Sequence, residues 1–94
     1  MKKYIIIEHF RKESIKELYQ RFSEKGRMLP EGLQYINSWI DEDVKTCYQL
    51  MESESLEKIE EWVSFWDDLA RFEIVRVISS EEAEQKVLSI SKEA

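Results

Sequence analysis

Several residue types are scarce in this 94-residue chain, and each scarcity excludes a class of function. Cys47 is the one cysteine, so no disulfide can form within the chain. With one histidine, His9, beside it, the four Cys or His ligands of a structural zinc site are not available. No metal and no cofactor is expected, and a reducing cytoplasmic setting follows from the same count. Cations are the minority charge: 14 Lys and Arg against 20 Asp and Glu leave a net charge of -6, which repels a phosphate backbone and argues against a nucleic-acid partner. No apolar run nears the ~20 residues of a membrane span, so no membrane partner is expected. The start MKKYIIIEHF carries cations, yet its apolar run falls short of the ~7 to 15 residues of a signal peptide. Glycine and proline are scarce as well, with both glycines and the one proline inside GRMLPEG, Gly26 to Gly32. Nothing there matches the GxGxxG or GxxxxGK loops that hold phosphates.

What the chain does have is apolar and periodic. Hydrophobic residues make up 43% of it, enough for one folded domain over residues 1–94 and too much for a disordered chain. YIIIEHF (4–10) is β-branched and aromatic and predicts a strand. Ser14 with Glu17 reads as a capping box, and Ile15, Leu18, Tyr19 and Phe22 form one stripe of a helix that Gly26 ends. Pro30 then forces an extended path into a hairpin of LQYINSWID (33–41) and TCYQLMES (46–53). Ser55 starts a second helix with a wide apolar face of Leu56, Ile59, Trp62, Val63, Trp66 and Leu69, and FEIVRVI (72–78) is a fourth strand. Ser79 with Glu82 repeats the capping box ahead of a short last helix carrying Ala83, Val87 and Ile90. The order βαββαβ plus a helix predicts an α+β, ferredoxin-like fold: a four-stranded antiparallel sheet of order 4-1-3-2, helices on one face, and a C-terminal helix.

Two helices cover one face of such a sheet, and the other face normally reads polar. Here Ile5, Ile6 and Ile7 are consecutive, as are Ile74 and Val75, so both faces carry aliphatic groups. Leaving four or five of them wet forgoes on the order of 10 kcal/mol. A homodimer formed through the open sheet face is the expected remedy.

GRMLPEGLQYINSW, then CYQLME, then EWVSFWDDLARFEIV resemble a bacterial family known as domain of unknown function 3303, over about residues 4 to 82. RMLPEGL followed by the Cys47 segment is the specific part of the likeness. The chain departs from the family pattern at Arg76, where proline is expected, and at His9, where arginine is expected. The resemblance implies a small dimeric α/β-barrel protein and supplies no activity or catalytic residues.

The candidate chemistry is sparse. His9 and Cys47 are the nucleophile and base candidates, expected near one another because the first and third strands are antiparallel neighbours. Asn37 and Gln49 add polar groups for positioning a substrate. Trp62 and Trp66, one helical turn apart, are expected to wall a pocket with Phe65, to which Tyr35, Trp39 and, from the GRMLPEG joint, Arg27 and Met28 add ligand contacts. Asp41, Asp43 and Glu52 fit three positions of a calcium loop, but Lys45 and Thr46 break the pattern. These residues favour a homodimer that binds a small, mostly apolar metabolite between sheet and helices. The alternatives are a cofactor-independent oxygenase or isomerase on the same scaffold, and a solid-cored protein-interaction module.

Overall fold

The computed structural model of the chain describes residues 1–93, with side chains through residue 89, so the apolar contribution expected of Ile90 lies outside the described side chains. Its elements are β1 (Lys2–Phe10), α1 (Ile15–Lys25), β2 (Leu33–Ile40), β3 (Thr46–Ser53), α2 (Leu56–Ser64), β4 (Ala70–Val77) and α3 (Ser80–Glu93). β1 starts earlier than its apolar run because Lys2 and Lys3 still pair with Ser53 and Glu52. β4 likewise starts at Ala70, opposite Phe10.

All sheet neighbours are antiparallel, in the order β2-β3-β1-β4, which counted from the other edge is 4-1-3-2. Strand alternation sorts the central residues cleanly. Tyr4 and Ile6 of β1 and Met51 of β3 face the helices, where they join Leu18 of α1, Ile59 and Trp62 of α2, and Trp66, Leu69 and Ala70 in one buried core. Ile5 and Ile7 point the other way, opposite Leu50 and Tyr48 on β3 and Val75 on β4. On that open face Tyr48 is 42% exposed and Val75 43%. The consecutive isoleucines therefore serve both faces, one greased against the helices and one facing out.

β2 breaks the alternation. A β-bulge between Tyr35 and Asn37 sets Asn37 opposite Leu50 and Ser38 opposite Gln49. One extra residue reverses the facing of everything after it. Ser38 and Ile40 thus turn to the helix side, and Asn37 and Trp39 to the open side.

The capping boxes are realised unevenly. Before α3 the Ser79 hydroxyl accepts from the Glu82 backbone N–H at 3.0 Å, as expected. Ser14 makes no cap; its Oγ donates to the Leu69 carbonyl at 2.9 Å, tying the start of α1 to the turn before β4. Ser55 makes no side-chain cap either, and its N–H donates to Ser53 Oγ at 3.3 Å. Arg21 reinforces the same corner through two parallel bonds to Asp68 at 2.9 and 2.8 Å and one to the Phe65 carbonyl at 2.8 Å. At the hairpin tip, Asp41 Oδ1 accepts from the N–H groups of Lys45 and Thr46, both at 2.7 Å, so this acid is spent on the turn. No helix among the described residues is long and apolar enough to cross a membrane.

Candidate functional site

The GRMLPEG joint positions the site. Gly26 ends α1 with its N–H on the Phe22 carbonyl at 2.8 Å, and its φ of 66° with ψ of -157° is a backbone region only glycine enters freely. The chain reverses there and lays Arg27 across the ends of α1 and α2. Trp62 and Trp66, four residues apart on one side of α2 and its following turn, both donate their indole N–H to the Arg27 carbonyl, at 2.7 and 3.2 Å. The two aromatic rings expected to form a wall thus also hold the joint down.

Between this joint, α1 and the sheet lies a cavity of about 210 Å³. Leu18, Phe22, Ile40, Trp62 and Trp66 give it an apolar wall, with Phe10 and Tyr19 completing it. Its polar groups are few: Glu8, Arg27, Ser38, Cys47 and Gln49. The volume is below the ~300 to 1,000 Å³ of drug-sized sites, so an occupant must be small.

Glu8 is the unforeseen member. It is 6% exposed, shares the helix-facing side of β1 with Tyr4 and Ile6, and accepts one hydrogen bond, from Gln49 Nε2 at 3.1 Å. Burial pushes its carboxyl up to about 7, with the nearby positive Arg27 opposing the rise. Its parity in YIIIEHF is the signal that marks it once Ile6 is known to face the helices: an acid two residues further along the strand points into the same core. Arg27 is held by stacking, its guanidinium carbon 3.6 Å from the Tyr35 ring centroid and 5.1 Å from that of Phe22. Its one side-chain hydrogen bond among the described residues is a long 3.4 Å contact to Ser38 Oγ, and its buried Nε has no acceptor. Tyr35 Oη and Ser38 Oγ are bonded at 2.6 Å. No ion pair joins Glu8 to Arg27.

The sequence-predicted residues divide accordingly. Arg27, Cys47, Gln49, Trp62 and Trp66 line the cavity. Tyr35 and Met28 support it, Tyr35 by carrying Arg27 and Met28 by packing on the core at a φ of 59°. Trp39, 55% exposed, and Asn37, whose Oδ1 accepts from the Ser38 N–H at 2.8 Å, sit on the open face because of the bulge.

His9 and Cys47 do not meet. Cys47 pairs with Glu8 and His9 with Thr46, so adjacent positions of β1 send the two side chains to opposite faces. His9 contacts Glu73 through Nε2, and that hydrogen bond holds the Glu73 carboxyl below its usual range. Burial first, and Glu8 second, push the Cys47 thiol up to about 12, which leaves it without thiolate at neutral pH. Burial and the neighbouring Cys47 and Glu8 likewise raise the Tyr19 phenol.

Residues 2–90 match the family described as domain of unknown function (DUF3303), and the chain belongs to it. No curated protein and no solved structure matches the chain.

Proposed function

We propose, with membership of this family as the premise, that the chain is a homodimeric module that binds a small, mostly apolar ligand between its sheet and its helices. One observation carries the binding reading: an apolar cavity whose few polar groups sit mostly on its sheet floor, with Arg27 and the Tyr19 phenol beside them. Such a cavity favours ligand binding over a solid-cored interaction module. Native mass spectrometry of protein purified from its source tests it. A small mass retained on the wild type and lost on denaturation is expected, as is its absence from Cys47→Phe, which extends a ring from the sheet floor into the space. A folded wild type that retains nothing and binds no small apolar probe would overturn the reading.

The dimer rests on the open face. Ile5, Ile7, Tyr48, Leu50 and Val75 form its middle, and polar pairs stand at the corners, an ion pair of Lys3 with Glu52 at 3.8 Å and the hydrogen bond of His9 with Glu73. An apolar centre with a charged rim is the anatomy of a protein interface. Four strands of about eight residues present about 500 Å² of flat face, so two copies stacked sheet to sheet bury about 1,000 Å² or more, the threshold for a stable pair. The sheet-on-sheet pair is the dimeric α/β barrel, and it leaves the cavity on the far side accessible.

The enzyme alternative narrows to Glu8, since a carboxyl that titrates near neutrality against apolar walls suits a general acid or base. Turnover lost in Glu8→Gln with ligand still bound would favour it.

A further inference from the structure

Three features of the cavity bear on the chemistry of its occupant. The Arg27 guanidinium is underpaired: among the described residues its five N–H donors share one 3.4 Å hydrogen bond, and the buried Nε–H has no acceptor. Polar hydrogens in such a place normally have partners. The protein's own carboxylate in the cavity, Glu8, does not take the role, being engaged by Gln49 on the sheet floor. The guanidinium is also fixed in orientation, flanked by the rings of Tyr35 and Phe22, so it cannot swing out to solvent without losing both stacks. Finally, the space between these two groups is bounded by Leu18, Ile40, Trp62 and Trp66, which suit a hydrocarbon body and offer it no second charge.

We propose that the cavity takes a small apolar monocarboxylate, its carboxylate on the Arg27 guanidinium and facing a protonated Glu8 carboxyl that donates to it. The inference rests on the binding reading above and adds the ligand's charge. A guanidinium and a neutral carboxylic acid together satisfy both oxygens of one carboxylate, whereas an amine ligand would meet Arg27 as a like charge. The titratable and charged groups that face Glu8 are Arg27 from the joint, Tyr19 from α1 and Cys47 from β3. With phenol and thiol both pushed upward, Glu8 is the group of this set that changes charge around neutrality. Binding an anion beside it therefore draws a proton from solution.

Isothermal titration calorimetry of the full chain with millimolar benzoate, benzylamine and benzyl alcohol, in buffers of different ionisation enthalpy, reads this directly. Benzoate is expected to bind more tightly than the other two. Its binding takes up close to one proton at pH 8 and little at pH 6, and its affinity falls by up to about tenfold per pH unit above neutrality. Glu8→Gln, of the same shape, is expected to bind benzoate with neither proton uptake nor pH dependence. Arg27→Met is expected to lose at least about tenfold in benzoate affinity and keep benzyl alcohol. Benzylamine binding more tightly than benzoate, benzoate binding without proton uptake in the wild type, or undiminished benzoate binding in folded Arg27→Met would each overturn the carboxylate inference and leave the cavity reading standing. A folded wild type that binds none of the three probes would overturn both. The buffer comparison on the wild type decides the matter even if a variant does not fold.

Discussion

At the scale of single residues, the chain carries its costs where the cavity is made. Glu8 is the largest of them. Its carboxyl sits near 4.5 when unfolded and about 7 when folded, so the native state holds the extra proton between those values and stability falls as pH rises from about 4.5 to 7. Above that range the buried carboxylate costs on the order of 3 kcal/mol. Glu8→Gln is therefore expected to match the wild type near pH 4 and exceed it by that order at pH 8, as read by urea denaturation at the two pH values. Gly26 is the second. A Cβ there meets nothing within 4 Å, so the penalty of Gly26→Ala is purely conformational, about 1 to 3 kcal/mol, and should appear as a lower thermal midpoint without a change in fold. Both residues were visible in the sequence, but unequally. Gly26 marks itself as a helix end, whereas Glu8 inside YIIIEHF reads as an ordinary solvated acid, because a charged residue at a strand end normally reaches water.

At the scale of elements, the helices are legible from their 3.6-residue apolar stripes and the strands from their β-branched and aromatic runs, such as YIIIEHF and FEIVRVI. The faces of β2 were not. Alternation from Tyr35 puts Asn37 and Trp39 on one side with it, and the bulge reverses that, a one-residue event with no marker in LQYINSWI. The pairing of His9 with Cys47 failed for the same kind of reason: two strands can be neighbours while a single step of parity parts their side chains. What joins elements was also hidden. The Ser14 hydroxyl serves the Leu69 carbonyl instead of its own helix, and α2 holds the loop after α1 through two indoles on one carbonyl. That shared acceptor makes the indoles interdependent. Trp62→Phe alone is expected to cost about 2 kcal/mol, since Trp66 still serves Arg27. The double variant with Trp66→Phe leaves the carbonyl unpaired, and chemical denaturation is expected to show a loss larger than the sum of the two single ones.

At the scale of the whole molecule, the two faces of the sheet have separate tasks. One packs on the helices and encloses the cavity, and the other turns Ile5, Ile7, Tyr48, Leu50 and Val75 outward, the face proposed to meet a second copy. Val75 and Tyr48 are both exposed in the protomer, so Val75→Glu and Tyr48→Glu leave its fold intact and place like charges at the centre of the proposed interface. Sedimentation at micromolar concentration is expected to give dimers for the wild type and monomers for either variant; a monomeric wild type would refute the barrel. The three tryptophans divide along the same line, Trp62 and Trp66 gripping the joint over the cavity and Trp39 lying 55% exposed on the opposite side. The protein thereby carries two native optical labels. Emission from a Trp39→Phe variant would report occupancy near Arg27 alone, while the signal that this substitution removes would track self-association, letting the two equilibria be followed in one cuvette without any added dye.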